Sequence, residues 1–247
     1  MSCQHKKMSG ILRMHYVKLV FRSVLFLAAL GLYLNHRVSG TGTAFGGYEK
    51  EPAVLTVIWL VFAVEMVFRF FPSKIESMGC QKQFARNYAA AGEPFREGAV
   101  NRGVLTTLLV WIALNGAIAG LYFGGIIDKG ILLLISLFYS VCDLICILFF
   151  CPFQTWFMKN RCCVTCRIYN WDFAMMFTPL IFVDNGYART LILLALALLV
   201  RWELAYRLHP ERFAEVSNRS LSCAMCEEKL CHHKKQLKTL WKKSGRN

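Results

Sequence analysis

Three cysteines stand close together at Cys162, Cys163 and Cys166, and a second group follows at Cys223, Cys226 and Cys231, with His232 and His233 directly after it. Each group contains a Cys-x-x-Cys step, the spacing at which two thiolates turn onto one tetrahedral ion. Two such steps supply the four ligands of a structural zinc site. The expected pairing is Cys163 and Cys166 with Cys223 and Cys226. Cys162, Cys231, His232 and His233 exceed what one zinc needs, so the same soft set also suits an iron–sulfur cluster. The plain alternative is free or acylated thiols. Cys80, Cys151 and Cys162 flank apolar stretches as palmitoylated cysteines do, and Cys142 and Cys146 read as small core residues.

A second constellation is made of ionisable and polar residues inside apolar stretches, each costing several kcal/mol if left unpaired in lipid. Glu65 and Arg69, four apart, can pair along one helix face; Asp143 follows Cys142; Asp172, Arg201 and Glu203 lie in later stretches. Two readings are open. The first is a set of interhelical ion pairs and headgroup anchors. The second is a polar cavity open to the cytosol, with Asp143 as proton-carrying or cation-binding group and Arg69 or Arg201 as its partner. Thr178-Pro179 should kink a helix and free a carbonyl that Asn115 could meet. No pair of histidines lies at membrane depth on facing stretches, which argues against a haem-bearing electron carrier.

The elements that must position these residues are membrane helices. The 247 residues are 56% hydrophobic and 14% aromatic, with a mean hydropathy of +0.41, a balance that disfavours a soluble domain. Stretches of about 20 apolar residues fall at 52–71, 103–127, 130–151 and 187–206. A fifth, 17–34, opens with Lys18 and Arg22, which are expected to snorkel toward the headgroups; it lacks a small-x-small cleavage site, so it reads as a span rather than a signal peptide. A sixth, 166–183, contains Arg167, Asp172 and Pro179 and could be a full span or a re-entrant half-helix.

Charge decides the topology, because short loops rich in Lys and Arg stay cytosolic. With all six stretches crossing, the basic loops and the tail after Arg207 share one side, leaving Arg37, Lys50, Lys129 and Arg189 on the other. The expected fold is an all-α polytopic bundle of about six transmembrane spans, N-in/C-in. It is organised as a cytosolic segment 1–16, a bundle 17–206 and a Cys/His-containing basic tail 207–247. Asp128-Lys129 and Asp184-Asn185-Gly186 are the tight outer hairpins, and the Gly-rich run at 40–47 reads as a flexible linker. The tail should form a basic helix on the inner leaflet, with Lys234, Lys235, Lys238, Trp241, Lys242 and Lys243 meeting anionic lipid. Asn218-Arg219-Ser220 matches a glycosylation sequon on the wrong side of the membrane for modification.

A cytosolic Cys-rich segment between membrane spans resembles, in architecture, the protein palmitoyltransferases, whose zinc sits in such a segment. Their Asp-His-His-Cys signature is absent, the one adjacent histidine pair being His232-His233, so no catalytic residue carries over.

The leading expectation is a membrane protein with a cytosolic cysteine-ligated metal, zinc or iron–sulfur, acting as an interaction, assembly or redox module. The alternatives are a cation- or proton-coupled small-solute transporter and a membrane enzyme of unknown chemistry. The formal net charge of +14 is spread between apolar stretches, so the expected partners are the bilayer, anionic lipids and a membrane or cytosolic protein, not nucleic acid.

Overall fold

The computed structural model describes residues 10–40, 52–72, 81–92, 102–160, 162–163, 165–226 and 234. Six helices organise them: α1 (Gly10–Val38), α2 (Pro52–Phe68), α3 (Arg102–Phe123), α4 (Lys129–Leu148), α5 (Asp172–Phe177) and α6 (Gly186–Leu208). Among the described residues there is no strand, only one isolated bridge between Ala90 and Asn218. Three helices, α1, α3 and α4, are long and apolar enough to cross a membrane. Helix α2 is apolar over 17 residues, about 25 Å at 1.5 Å per residue, slightly short of the hydrocarbon thickness.

The burial pattern is that of a chain solvated by hydrocarbon. Helix α1 buries Leu12, His15, Arg22, Leu25, Ala29 and Tyr33 at steps of three, four and seven residues, while Val17, Val20, Val24 and Leu27 face outward. Helix α3 goes further: only Thr107 and Asn115 are buried, and Leu105, Leu109, Ile112 and Leu114 are exposed. Polar groups inside and aliphatic ones outside is the arrangement a bilayer rewards, since each buried polar group must be satisfied within the protein. Helix α4 forms the centre, with Leu132, Leu137, Leu144 and Leu148 nearly inaccessible.

Local chemistry sets the helix ends. The Asp128 carboxylate accepts the Ile131 N–H at 2.9 Å and caps α4. The Asn185 side chain accepts the Tyr187 N–H at 2.9 Å and caps α6. Gly125, at φ +72°, reverses the chain after α3. Helix α4 ends at Leu148, three residues before the stretch expected from hydropathy, because Phe149 closes it and Pro152 opens a separate turn, Phe153–Phe157.

Stretch 166–183 is not a continuous helix, and apart from Ile181 its large apolar side chains turn inward. Helix α5 has six residues; at Thr178-Pro179 it tightens into a 3-10 helix to Phe182. Thr178 Oγ1 folds back onto the Ala174 carbonyl at 2.8 Å, and Pro179 offers no N–H to continue the ladder. Phe173, Met176, Phe177 and Leu180 are buried against α4 and α6. This segment runs antiparallel to α2: Asp172 meets Arg69 at 2.6 Å, Phe177 meets Phe62 edge-on at 5.3 Å, and Tyr187 just beyond it meets Thr56 at 3.0 Å.

The same contacts define two ends of the bundle. One holds the Asp128 cap, to which the Tyr33 hydroxyl donates at 2.9 Å, together with Thr56, Tyr187 and Phe182. The other holds the start of α1, where Leu12 packs on Leu144, Ile147 and Leu148, and the chain after α6. There, residues 81–92 and 217–220 knit into one layer through Ala91 N–H to Ser217 O at 3.0 Å and Arg219 N–H to Ala89 O at 2.7 Å. Asn218 is the hub. Its amide donates to the Lys82 and Arg212 carbonyls at 3.1 and 2.8 Å and accepts the Ser220 N–H at 3.1 Å, so the sequon asparagine is wholly buried.

Candidate functional site

The C-terminal end of α4 and the loop that follows line a cavity of about 140 Å³. Five cysteines line it: Cys142 and Cys146, one turn apart on α4, then Cys151, Cys163 and Cys166. The Cys146 and Cys151 side chains approach each other across the end of the helix. Cys151 also accepts the Gln154 N–H at 3.4 Å. Cys163 donates to Gln154 Oε1 at 2.8 Å and receives the Lys234 ammonium at 3.2 Å. Lys159, at φ +49°, turns the chain so that Asn160 can brace the loop, its amide donating to the Thr165 carbonyl at 3.1 Å. The Cys166 N–H closes the Cys163–Cys166 turn on the Cys163 carbonyl at 3.0 Å.

The two best-placed thiols differ in acidity. The Cys146 hydrogen bond, then the Gln154 N–H and the Lys234 charge, hold Cys151 below the usual thiol range, at about 7, against the cost of burial. Burial pushes Cys163 up despite Lys234. Of the two thiols nearest Lys234, Cys151 is thus the more acidic.

Above this cavity lies a layer of ion pairs. Arg22, expected to snorkel, is instead buried and joins three helices: it pairs with Glu65 of α2, donates to the Ser140 carbonyl of α4 at 2.9 Å, and meets Asp143 at 3.5 Å. Lys18 reaches Glu65 at 3.3 Å. Arg22 turns inward because it shares a face with Leu25 and Ala29 and stacks on Phe62 at 5.2 Å. Where Glu65 and Arg69 were expected to pair along α2, Glu65 is held by α1, and Arg69 by Asp172 at 2.6 Å over the Phe173 ring. Glu203 receives Arg167 at 2.5 and 2.8 Å and the Trp171 indole at 2.7 Å. Arg201 donates to the Phe70 carbonyl among the rings of Phe70, Phe84 and Trp202. Asp143 and Asp172 line the thiol cavity from this side.

Several expected partnerships fall differently. Cys163 and Cys166 share a cavity with Cys146 and Cys151, whereas Cys223, exposed, and Cys226, half-buried, lie on a separate turn outside the cavity wall. Among the described residues no three of His, Cys, Asp and Glu are grouped to hold a metal ion. Cys162 stands beside the cavity rather than in its lining, its carbonyl accepting from Thr165 Oγ1 at 3.2 Å. Asn115 does not reach the Pro179 break; its amide donates to Trp111 of its own helix at 3.0 Å, and the Trp111 indole makes the contact to Thr178 at 3.3 Å. Lys234 faces the cavity instead of lipid, donating also to the Cys146 carbonyl at 2.9 Å. Cys80, Cys231, His232, Lys235, Lys238, Trp241, Lys242 and Lys243 lie outside the described residues.

Sequence reasoning passed over Cys142, Cys146 and Cys151 as functional groups. The available signal was Cys142 and Cys146 at a four-residue step with an acid between them, pointing to one face of α4 beside the Cys151-Pro152 break. Compared with known proteins, the chain matches no family model, no curated protein and no solved structure.

Proposed function

We propose that this chain is a multi-pass membrane protein with six crossings and both termini in the cytosol, whose cytosolic end carries a redox-active dithiol, Cys146 and Cys151. The topology is supported by the basic loops sharing the side of the thiols, and by the chain from Asp172 to Tyr187 running along α2 from Arg69 to Thr56. The dithiol is carried by one observation: Cys146 and Cys151 lie on either side of the end of α4 in one cavity lined by three further cysteines, with the Gln154 N–H on the Cys151 sulfur. A thiolate near neutral pH is the attacking species in thiol–disulfide chemistry, and a neighbouring second thiol is its resolving partner. Oxidation joins the two sulfurs and releases two electrons and two protons. Cytosolic thiols are kept reduced, so the dithiol is the resting form.

A second reading, the thiolate-held zinc or iron–sulfur centre, is favoured by Lys234. Its contact with Cys163 brings the tail to the cavity, the fold-back that a site shared with Cys231 and His232 requires. One experiment separates the two: metal analysis of anaerobically purified protein, with peptide mapping after mild oxidation. A reversible Cys146–Cys151 disulfide in metal-free protein is the expected result. Stoichiometric zinc, or iron with sulfide, replaces the dithiol with the metal centre. Metal-free protein whose thiols stay inert refutes both.

A further inference from the structure

Two apolar recesses open on the outer surface of the bundle. The first, a cleft of about 370 Å³ between α3, α5 and α6, exposes Leu108, Ile181 and Leu196. Its polar groups are already bonded: Thr107 donates to the Gly103 carbonyl, Thr178 to the Ala174 carbonyl, the Trp111 indole to Thr178 and the Trp171 indole to Glu203. Such a wall takes hydrocarbon and selects nothing. The second is an open groove of about 750 Å³ along the outside of α6, lined by two alanines, by five exposed aliphatic side chains from Leu193 to Leu208, and by one charged residue, Arg201.

Arg201 stands apart from the other cations of the bundle. Lys18, Arg22, Arg69 and Arg167 each meet a carboxylate; among the described residues Arg201 meets none. One of its N–H groups donates to the Phe70 carbonyl, two residues past the end of α2, which leaves most of the guanidinium fork without a partner among the described residues. Its Cζ lies 5.2 Å from the centroid of Phe84, a residue of the 81–92 layer. The guanidinium therefore sits where the bundle meets that layer, at the level of lipid headgroups. Glu203, two residues on, faces Arg167 and Trp171 instead. Arg86, two residues after Phe84, and Arg207, in the last turn of α6, are exposed and add positive charge.

A lone cation above an aliphatic groove calls for an anion with a hydrocarbon body. A phosphodiester presents two oxygens to the guanidinium fork. The groove from Leu193 to Leu208 runs about 22 Å at 1.5 Å per residue, enough for a chain crossing one leaflet's hydrocarbon of about 15 Å. A choline lipid would set a second cation beside Arg201, so charge favours an anionic headgroup. Capping the Phe70 carbonyl needs only one N–H, which a glutamine would supply, and accounts for neither the missing carboxylate nor the groove. We propose that the outer face of α6 binds an anionic phospholipid, its phosphate on Arg201 and an acyl chain in the groove toward Leu193. That this lipid belongs to the inner leaflet rests on the topology proposed above.

The test titrates the full chain in detergent micelles with dioleoylphosphatidylglycerol and, separately, dioleoylphosphatidylcholine, read by native mass spectrometry and thermal unfolding. The expected result is one phosphatidylglycerol held at least about tenfold more tightly than phosphatidylcholine, with a rise in unfolding temperature to match. Arg201→Gln keeps an N–H for the Phe70 carbonyl but drops the charge, and should lose the preference. Ala197→Trp fills the groove and leaves Arg201 in place; it should weaken phosphatidylglycerol at least about tenfold and serves where Arg201→Gln fails to fold. Equal retention of the two lipids, an unchanged preference in Arg201→Gln, unchanged affinity in Ala197→Trp, or displacement by soluble glycerol phosphate overturns the site. The leaflet is read separately. Cys223, exposed, should react with an impermeant maleimide only in vesicles that present the cytosolic face. Reaction from the opposite face refutes the topology and leaves the lipid site standing, whereas absent lipid preference with Cys223 on the expected side refutes the site alone.

Discussion

Arg22→Met is the sharpest test of how this bundle is held together. Methionine keeps the length and the apolar stem of arginine while deleting the guanidinium. The change removes the Glu65 pair, the 2.9 Å bond to Ser140 O and the 3.5 Å contact to Asp143, leaving Glu65 with Lys18 alone at 3.3 Å. Arg22 is only 3% exposed, so no water replaces what is lost. Breaking a buried pair from one side costs about 3–5 kcal/mol, because the stranded charge stays buried. At about 2–4 °C per kcal/mol for a chain of this size, thermal unfolding in detergent should fall by about 6–20 °C. Arg22→Met/Asp143→Asn neutralises the stranded acid while keeping the Lys18–Glu65 pair, and should recover part of that loss. A single variant within about 2–4 °C of the parent, or a double variant whose loss is the sum of its parts, refutes the view that Arg22 binds α1, α2 and α4 as one network.

Alkylation of Cys151 by iodoacetamide, read by peptide mass against pH, should have its midpoint at about 7. The thiolate is the reactive form and is present above that pH; Cys146→Ala should move the midpoint up more than Lys234→Gln does, and a parent midpoint near the ordinary thiol value of about 8.5 contradicts the proposed contacts. Asn218→Ala strands the Lys82 and Arg212 carbonyls and the Ser220 N–H, each a loss of about 1–3 kcal/mol where buried. Amide exchange across 81–92 should accelerate, and unchanged exchange removes Asn218 as the hub of that layer. Gly130→Ala sets a Cβ 2.8 Å from the Tyr33 ring, so thermal stability should drop by about 1–3 kcal/mol of overpacking. Tyr33→Leu, which makes room, should rescue it, and loss without rescue points to another cause.

The helical class was legible because hydrocarbon imposes one rule on every stretch, and α1, α3 and α4 follow it by length and composition alone. The turns at Asp128-Lys129 and Asp184-Asn185-Gly186 and the Thr178-Pro179 break were legible because each is chemistry between near neighbours, whereas the capping bonds of Asp128 and Asn185 were not read. Pairings across the bundle were not. Arg69 and Asp172 are 103 residues apart, and Arg22 and Glu65 are 43 apart; an i,i+4 rule sees Glu65 beside Arg69 and has no access to α1. The thiols teach the same lesson. Cys-x-x-Cys spacing marks which cysteines can share a turn, but which turns share a cavity depends on where α4 ends. Ending it at Leu148 is what sets Cys151 against Cys146.

The ion pairs also predict which helix moves. Arg22 ties α1 to α2 and α4, Arg69 ties α2 to α5, and Arg167 ties the loop before α5 to α6. Among the described residues no ion pair reaches α3; the amide of its buried Asn115 bonds within its own helix, and its one side-chain hydrogen bond to another helix is Trp111 to Thr178 at 3.3 Å. An ion pair in a low-dielectric bundle resists sliding far more than aliphatic contacts do, so α3 is the element with least to lose by shifting. It also contributes Trp111 to both the thiol cavity and the cleft beside α5 and α6, and Thr107 and Leu108 to that cleft. Spin labels on the outward positions Leu109 of α3 and Phe138 of α4 should report a broader distance distribution than a matched pair on α1 and α4. Equal widths for the two pairs would show that α3 is held as firmly as the rest, and that the cleft behind it is a fixed groove rather than an opening door.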